Sequence, residues 1–188
     1  MRHIMIKRIL LLSSIFIIFI STPLFAEGDN YEKDTVIDDA ADFFGEGAEG
    51  LGEVIEKIFK EHGQPNAIIK GDEASGAIGI GARYGSGVLS MKNNTKTTVH
   101  WTGPSIGFDA GANASKVYVL VYHLPNTAAL FQRFPAIDGS LYFVGGISAN
   151  YHQSDNIILA PLRLGAGLRA GVNVGYMKYT RKKTWNPF

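Results

Sequence analysis

The residues best suited to chemistry in this chain are two arginines and an aspartate, each centred in a row of glycines. Gly79-x-Gly81-x-Arg83-x-Gly85-x-Gly87 recurs as Gly165-x-Gly167-x-Arg169-x-Gly171, and Gly107-x-Asp109-x-Gly111 has the same form with an acid at its centre. Alternate residues of an extended chain share a face, so each row sets one charged side chain on an otherwise bare surface. Two chemistries fit. Asp109 pairs with Arg83 or Arg169 in a bridge, or the two guanidinium forks form an anion site for phosphate or carboxylate. Tyr84 and Trp101 complete the candidate ligand-binding set.

Other reactive-looking strings are weaker. Gly103-Pro104-Ser105-Ile106-Gly107 fits the GxSxG nucleophile elbow, but the elbow needs a strand before the serine and a helix after it. Here Ile106, Phe108 and Ala110 alternate as in a strand. Gly79-Ile80-Gly81 lacks the strand–loop–helix unit of a dinucleotide site. His62, His100, His123 and His152 have no metal-ligand spacing. The chain contains no cysteine, which removes disulfides, iron–sulfur clusters, thiolate zinc sites and a lipid-modified N-terminal cysteine. No catalytic residue, cofactor or metal is expected, and the dispersed basic residues argue against nucleic-acid binding.

The elements that must position these residues fall into three segments: 1–26, 27–62 and 63–188. Residues 1–26 read as a signal peptide cleaved near Ala26, with Arg2, Lys7 and Arg8 before an apolar run from Ile9 to Ile20. Residues 27–61 carry 12 acids and 3 lysines, a net of −9. Residues 62–188 carry 5 acids and 12 Lys or Arg, a net of +7. Opposite signs predict that the acidic segment docks on the basic domain; the sharper alternative is an acidic arm gating contact with anionic lipid or lipopolysaccharide.

From Thr35 to Phe59 apolar residues recur every three or four positions, which predicts an amphipathic helix. Thr35 is the expected cap, and Gly63 and Pro65 end the pattern. Gly45, Gly47, Gly50 and Gly52 predict a break near 45–50, hence two helices. Beyond Ala67 the period is two, giving strands at 67–70, 76–92, 96–102, 105–112, 116–123, 140–151, 156–161 and 163–180, with Asn93-Asn94 as a hairpin turn. The fold class is mainly β (α+β): a small antiparallel glycine-rich β-barrel or strongly curved sheet with N-terminal helices packed against it. The apolar faces, carrying Tyr84, Val88 and Tyr176, are expected to form the core. The glycine faces are expected to meet helices or a groove. The tail joins Arg181, Lys182 and Lys183 to Trp185 and Phe188, a set suited to peripheral membrane contact or to a plug on the barrel.

Residues 63–188 hold several distinctive runs: Gly63-Gln64-Pro65-Asn66, Arg83-Tyr84-Gly85, Trp101-x-Gly103-Pro104-Ser105-x-Gly107-x-Asp109 and Tyr122-x-Leu124-Pro125. They continue in Val144-Gly145-Gly146, Asn173-Val174-Gly175-Tyr176 and Thr184-Trp185-Asn186-Pro187-Phe188. In these runs residues 63–188 resemble the EipA-type periplasmic envelope-integrity family. The resemblance implies a small β-barrel with flanking helices, a role in cell-envelope homeostasis in the periplasm and a looser likeness to SYLF-type lipid-binding domains. No catalytic residues carry over. The expected function is a non-enzymatic periplasmic protein supporting envelope integrity by binding lipid or surface polysaccharide. An integral outer-membrane barrel and an enzyme acting on envelope material are the alternatives.

Overall fold

The computed structural model describes residues 30–45, 48–164 and 175–186, and for 75–80 and 105–114 the backbone alone. The expected leader 1–26, Arg169, the second glycine row and Phe188 lie outside the described residues, as does the side chain of Asp109.

Two helices precede the sheet, α1 (Lys33–Phe44) and α2 (Leu51–His62). The break falls at 45–50 as expected. The start differs: α1 begins two residues before Thr35, with Glu32 at the cap position and no side-chain cap bond. Eight strands follow among the described residues, all paired antiparallel. They are β1 (Ala67–Met91), β2 (Lys96–Tyr122), β3 (Arg133–Pro135), β4 (Tyr142–Val144), β5 (Ile147–Ala149), β6 (His152–Ser154), β7 (Ile157–Leu164) and β8 (Tyr176–Thr180).

The β1–β2 hairpin dominates. It turns at Asn93-Asn94, where Asn94 takes φ 65°, and its ladder runs from Ser90↔Lys96 back to Ala67↔Val121. The sequence pattern divides this ribbon into five strands, whereas the structure joins them into two. A straight strand of 25 residues is about 80 Å long, roughly twice the width of a domain of this size, so the ribbon has to coil. It does so through a register shift between Ser75 and Ala77 and through glycines. At the tightest point the strand crosses itself. A Cβ on Gly71 would sit 2.2 Å from the Ser86 carbonyl oxygen, and one on Gly87 2.3 Å from the Lys70 oxygen.

Coiling lets β2 serve two places in the wall. Its first half pairs with β8 (Trp101↔Tyr179) and its second half with β7 (Val119↔Pro161). From β7 the wall continues to β6, and from β8 to β3. The isolated bridge Ala136↔His152, just past β3, completes the circuit.

Two cores result. Inside the barrel lie Ile69, Leu89, Val99, Trp101, Val119, Leu159, Phe134 and Tyr179. On the outer face, Ile68, Tyr118, Leu120, Tyr122 and Leu162 lie beneath Val36, Phe44, Val54, Ile55 and Ile58 of the helices. Charge adds to this docking: Lys70 pairs with Asp39, the Tyr118 hydroxyl donates to Asp39 at 2.7 Å, and Lys116 donates to the Phe43 carbonyl at the end of α1 at 2.8 Å. The acidic segment thus packs on the domain, as the charge pattern predicts.

The assignment of faces is corrected. On β1 the described part of the glycine row, with Arg83 and Gly85, shares the inner face of Leu89, whereas Tyr84 is half-exposed and Val88 is 42% exposed. The reason is room. A tightly coiled strand has little space on its concave side, so glycine is placed there and bulk outside. A Cβ on Gly85 would lie 2.0 Å from the Trp101 ring, so the indole occupies the volume that a side chain at 85 would need.

Because the clash at Gly71 is with backbone, Gly71→Ala is expected to cost about 3 kcal/mol and to lower Tm by roughly 5–10 °C. Gly52, in α2 with open space around its Cα, gives the contrast: Gly52→Ala is expected to raise stability by about 0.5–1 kcal/mol. Thermal denaturation of both variants checks the pair.

Candidate functional site

At the start of β1 the odd-numbered residues face the barrel interior, and Glu73 follows Ala67, Ile69 and Gly71 on that face. It is 4% exposed. Its Oε1 lies 3.1 Å from Arg83 Nε and accepts from Arg163 Nε at 2.9 Å. Its Oε2 accepts from Arg163 Nη2 at 3.2 Å and from the Trp101 indole N–H at 2.8 Å. Arg163 also donates through Nη1 to Asn150 Oδ1 at 3.0 Å. Asn150 donates to His152 Nε2 at 2.7 Å, and His152 donates from Nδ1 to the Phe134 carbonyl at 3.2 Å. One carboxylate thereby ties both halves of β1 to β2, β7 and β6.

Burial alone would raise the Glu73 carboxyl. Arg163 and then Arg83, helped by the bonds from Arg163 and Trp101, outweigh it and bring the pKa down to about 2. Burial, reinforced by the neighbouring Arg163, brings His152 down to about 3. At neutral pH Glu73 is fixed as an anion and His152 as a neutral ring. Neither is poised near 7, where proton transfer in catalysis is most efficient. The arrangement fits a structural and electrostatic role, not acid–base chemistry.

The sequence-predicted residues separate here. Arg83 and Trp101 belong to the cluster; Tyr84 is on the outer face of β1. Arg83 bridges to Glu73, a residue that the sequence pattern does not single out, and Arg163 takes the second arginine position beside it. The signal was available as parity. Glu73 shares a face with Ala67 and Ile69, and Arg163 with Ile157 and Leu159. Ser105 of the GxSxG string is paired with Gly81 within the β1–β2 ladder, so no strand-to-helix elbow exists there.

A cavity of about 310 Å³ opens above this cluster, between the bend of β1, the start of β2 and the C-terminal tail. Glu73 and Trp101 line it, together with Tyr84, His100, Lys183 and Trp185. The Tyr84 hydroxyl donates to the Trp185 carbonyl at 2.8 Å, and the two rings lie 5.4 Å apart. Arg181 sits over Phe131 and Lys183 over Trp185, each 4.3 Å from the ring centre.

Residues 29–188 match the sequence family described as envelope integrity protein A, EipA. The chain belongs to the EipA family. It is also similar to a crystal structure of a β-barrel-like, uncharacterized protein from Brucella abortus, with 40% identity and a TM-score of 0.78 over 86% of this chain and all of the other. No protein of curated function matches. The EipA-family chain thus has a barrel-like fold and a family role in envelope integrity, with the Glu73 cluster at its centre.

Acid should weaken this cluster in two stages. His152 is depressed from 6.5 to about 3, so its contribution is complete above about pH 6.5 and is lost as pH falls toward 3. Glu73 is depressed from 4.5 to about 2, so its contribution is lost below about pH 4.5. In a pH series of melting temperatures, His152→Gln is expected to remove the upper stage. Glu73→Gln leaves two guanidiniums without their carboxylate and is expected to cost about 3–5 kcal/mol at neutral pH.

Proposed function

We propose that this chain is a non-enzymatic periplasmic protein, freed of its leader near Ala26, that supports envelope integrity by binding an envelope component, lipid or surface polysaccharide. The observation that carries this reading is the family match across residues 29–188. A structural role for the buried cluster is supported by its pairing, with the Glu73 carboxylate held between Arg83 and Arg163. Export is supported by the basic, apolar and small-residue sequence of 1–26.

A soluble barrel is favoured over an integral outer-membrane barrel. Membrane barrels turn apolar side chains outward to lipid and keep a polar interior. Here the interior packs Val, Leu, Phe and Trp, and much of the apolar outer face is covered by α1 and α2.

Deletion of the gene is expected to sensitise cells to detergent and osmotic shock, with rescue by the full chain and not by a leaderless one. Spheroplast release is expected to yield a processed chain beginning at Glu27. Wild-type tolerance in the deletion strain, or an unprocessed cytosolic chain, would reject the reading.

A further inference from the structure

The cavity under the C-terminal tail has a lining that selects among ligands. Its size, about 310 Å³, is at the lower end for small-molecule sites. Two aromatic rings stand at its rim: Trp185, 68% exposed, and half-exposed Tyr84. Trp101 is part of its lining, with its N–H already committed to Glu73. Between them are the exposed Asp72 carboxylate and the Ser86 hydroxyl, while His100 lines the same space with an Nδ1 that is shielded from solvent and has no hydrogen-bond partner among the described residues.

Charge and depth decide what fits. Asp72 places an exposed carboxylate in the lining, which disfavours a phosphate or carboxylate ligand beside it. The cation of the lining, Lys183, lies over the Trp185 ring. An acyl chain needs an apolar depth, but Glu73 lies in the wall and the Arg83–Glu73–Arg163 cluster lies behind it. What remains is an uncharged ligand with a C–H face for the aromatic rings and hydroxyls for Asp72 and Ser86. Sugar rings have this combination.

We propose that this cavity is a subsite for a neutral saccharide, with the rings of Tyr84 and Trp185 stacking on the sugar and the tail from Lys183 to Asn186 acting as its strap. The proposal deepens the envelope-binding reading and rests on it. The tail is part of the site, because Tyr84 holds it through the Trp185 carbonyl.

The chain has two tryptophans, and both line the cavity, so their fluorescence reports occupancy directly. Titration of residues 27–188 with maltotetraose and chitotetraose is expected to give a saturable emission change for at least one. Calorimetry is expected to show affinity reduced at least tenfold by Tyr84→Ala/Trp185→Ala, and likewise in a chain ending at Lys182, with unchanged circular dichroism. No saturable response to either saccharide, or an affinity unchanged in the double variant, would overturn the site. Pelleting with phosphatidylglycerol vesicles separates the two readings: binding that the double variant retains, without saccharide binding, sinks the saccharide site and leaves the envelope-binding reading standing.

Discussion

The structure depends on the place where one strand passes over itself. Gly71 and Gly87 are sixteen residues apart on β1, yet each would drive a Cβ into the backbone beside the other. Only two residues without side chains allow this approach. Without it the long ribbon could not coil tightly enough for β2 to meet β7 with one half and β8 with the other. The barrel interior exists because of that contact, and so do the groups enclosed in it.

Within that interior, Glu73 is a junction more than a stabiliser. Burying a carboxylate with two guanidiniums carries a large desolvation cost, and such a cluster is weak evidence of added stability. Its value here is geometric. Glu73 and Arg83 come from opposite sides of the bend, Trp101 from β2 and Arg163 from β7. A ribbon coiled by one residue more or less would turn Glu73 to the outer face, away from both arginines. The polar network therefore selects one register for a glycine-rich hairpin that could otherwise slip.

Much of the architecture was legible in the sequence. The helical pair followed from a stripe ending at Gly63 and Pro65, and the strands from period-two alternation. The turn at Asn93-Asn94 and the curvature followed from residue type. Three things were not legible. The strands merged into two long ones because alternation marks pairing residues but not whether a bend interrupts the ladder. The inner and outer faces were exchanged because hydrophobicity was weighed without curvature; on a concave surface, volume decides first, and Tyr84 and Val88 were too large for it. Glu73 and Arg163 do not sit at the centre of a glycine row; each follows core residues on its face, Ala67 and Ile69 before Glu73 and Ile157 and Leu159 before Arg163. A lone charge in the buried phase of a strand was the stronger signal.

The circuit of the wall is not equally fastened all round. Between β1 and β2 a long ladder joins the neighbours, but between β3 and β6 the backbone link among the described residues is one bridge, Ala136↔His152, reinforced by Ile137 N–H to the Tyr151 carbonyl, by His152 to the Phe134 carbonyl and by the Ser154 hydroxyl to Gln132 Oε1. This makes it the clasp of the ring. A clasp with so few fastenings gives way before the coil does. The imidazole there, wired through Asn150 to Arg163, ties this closing edge to the charges at the centre.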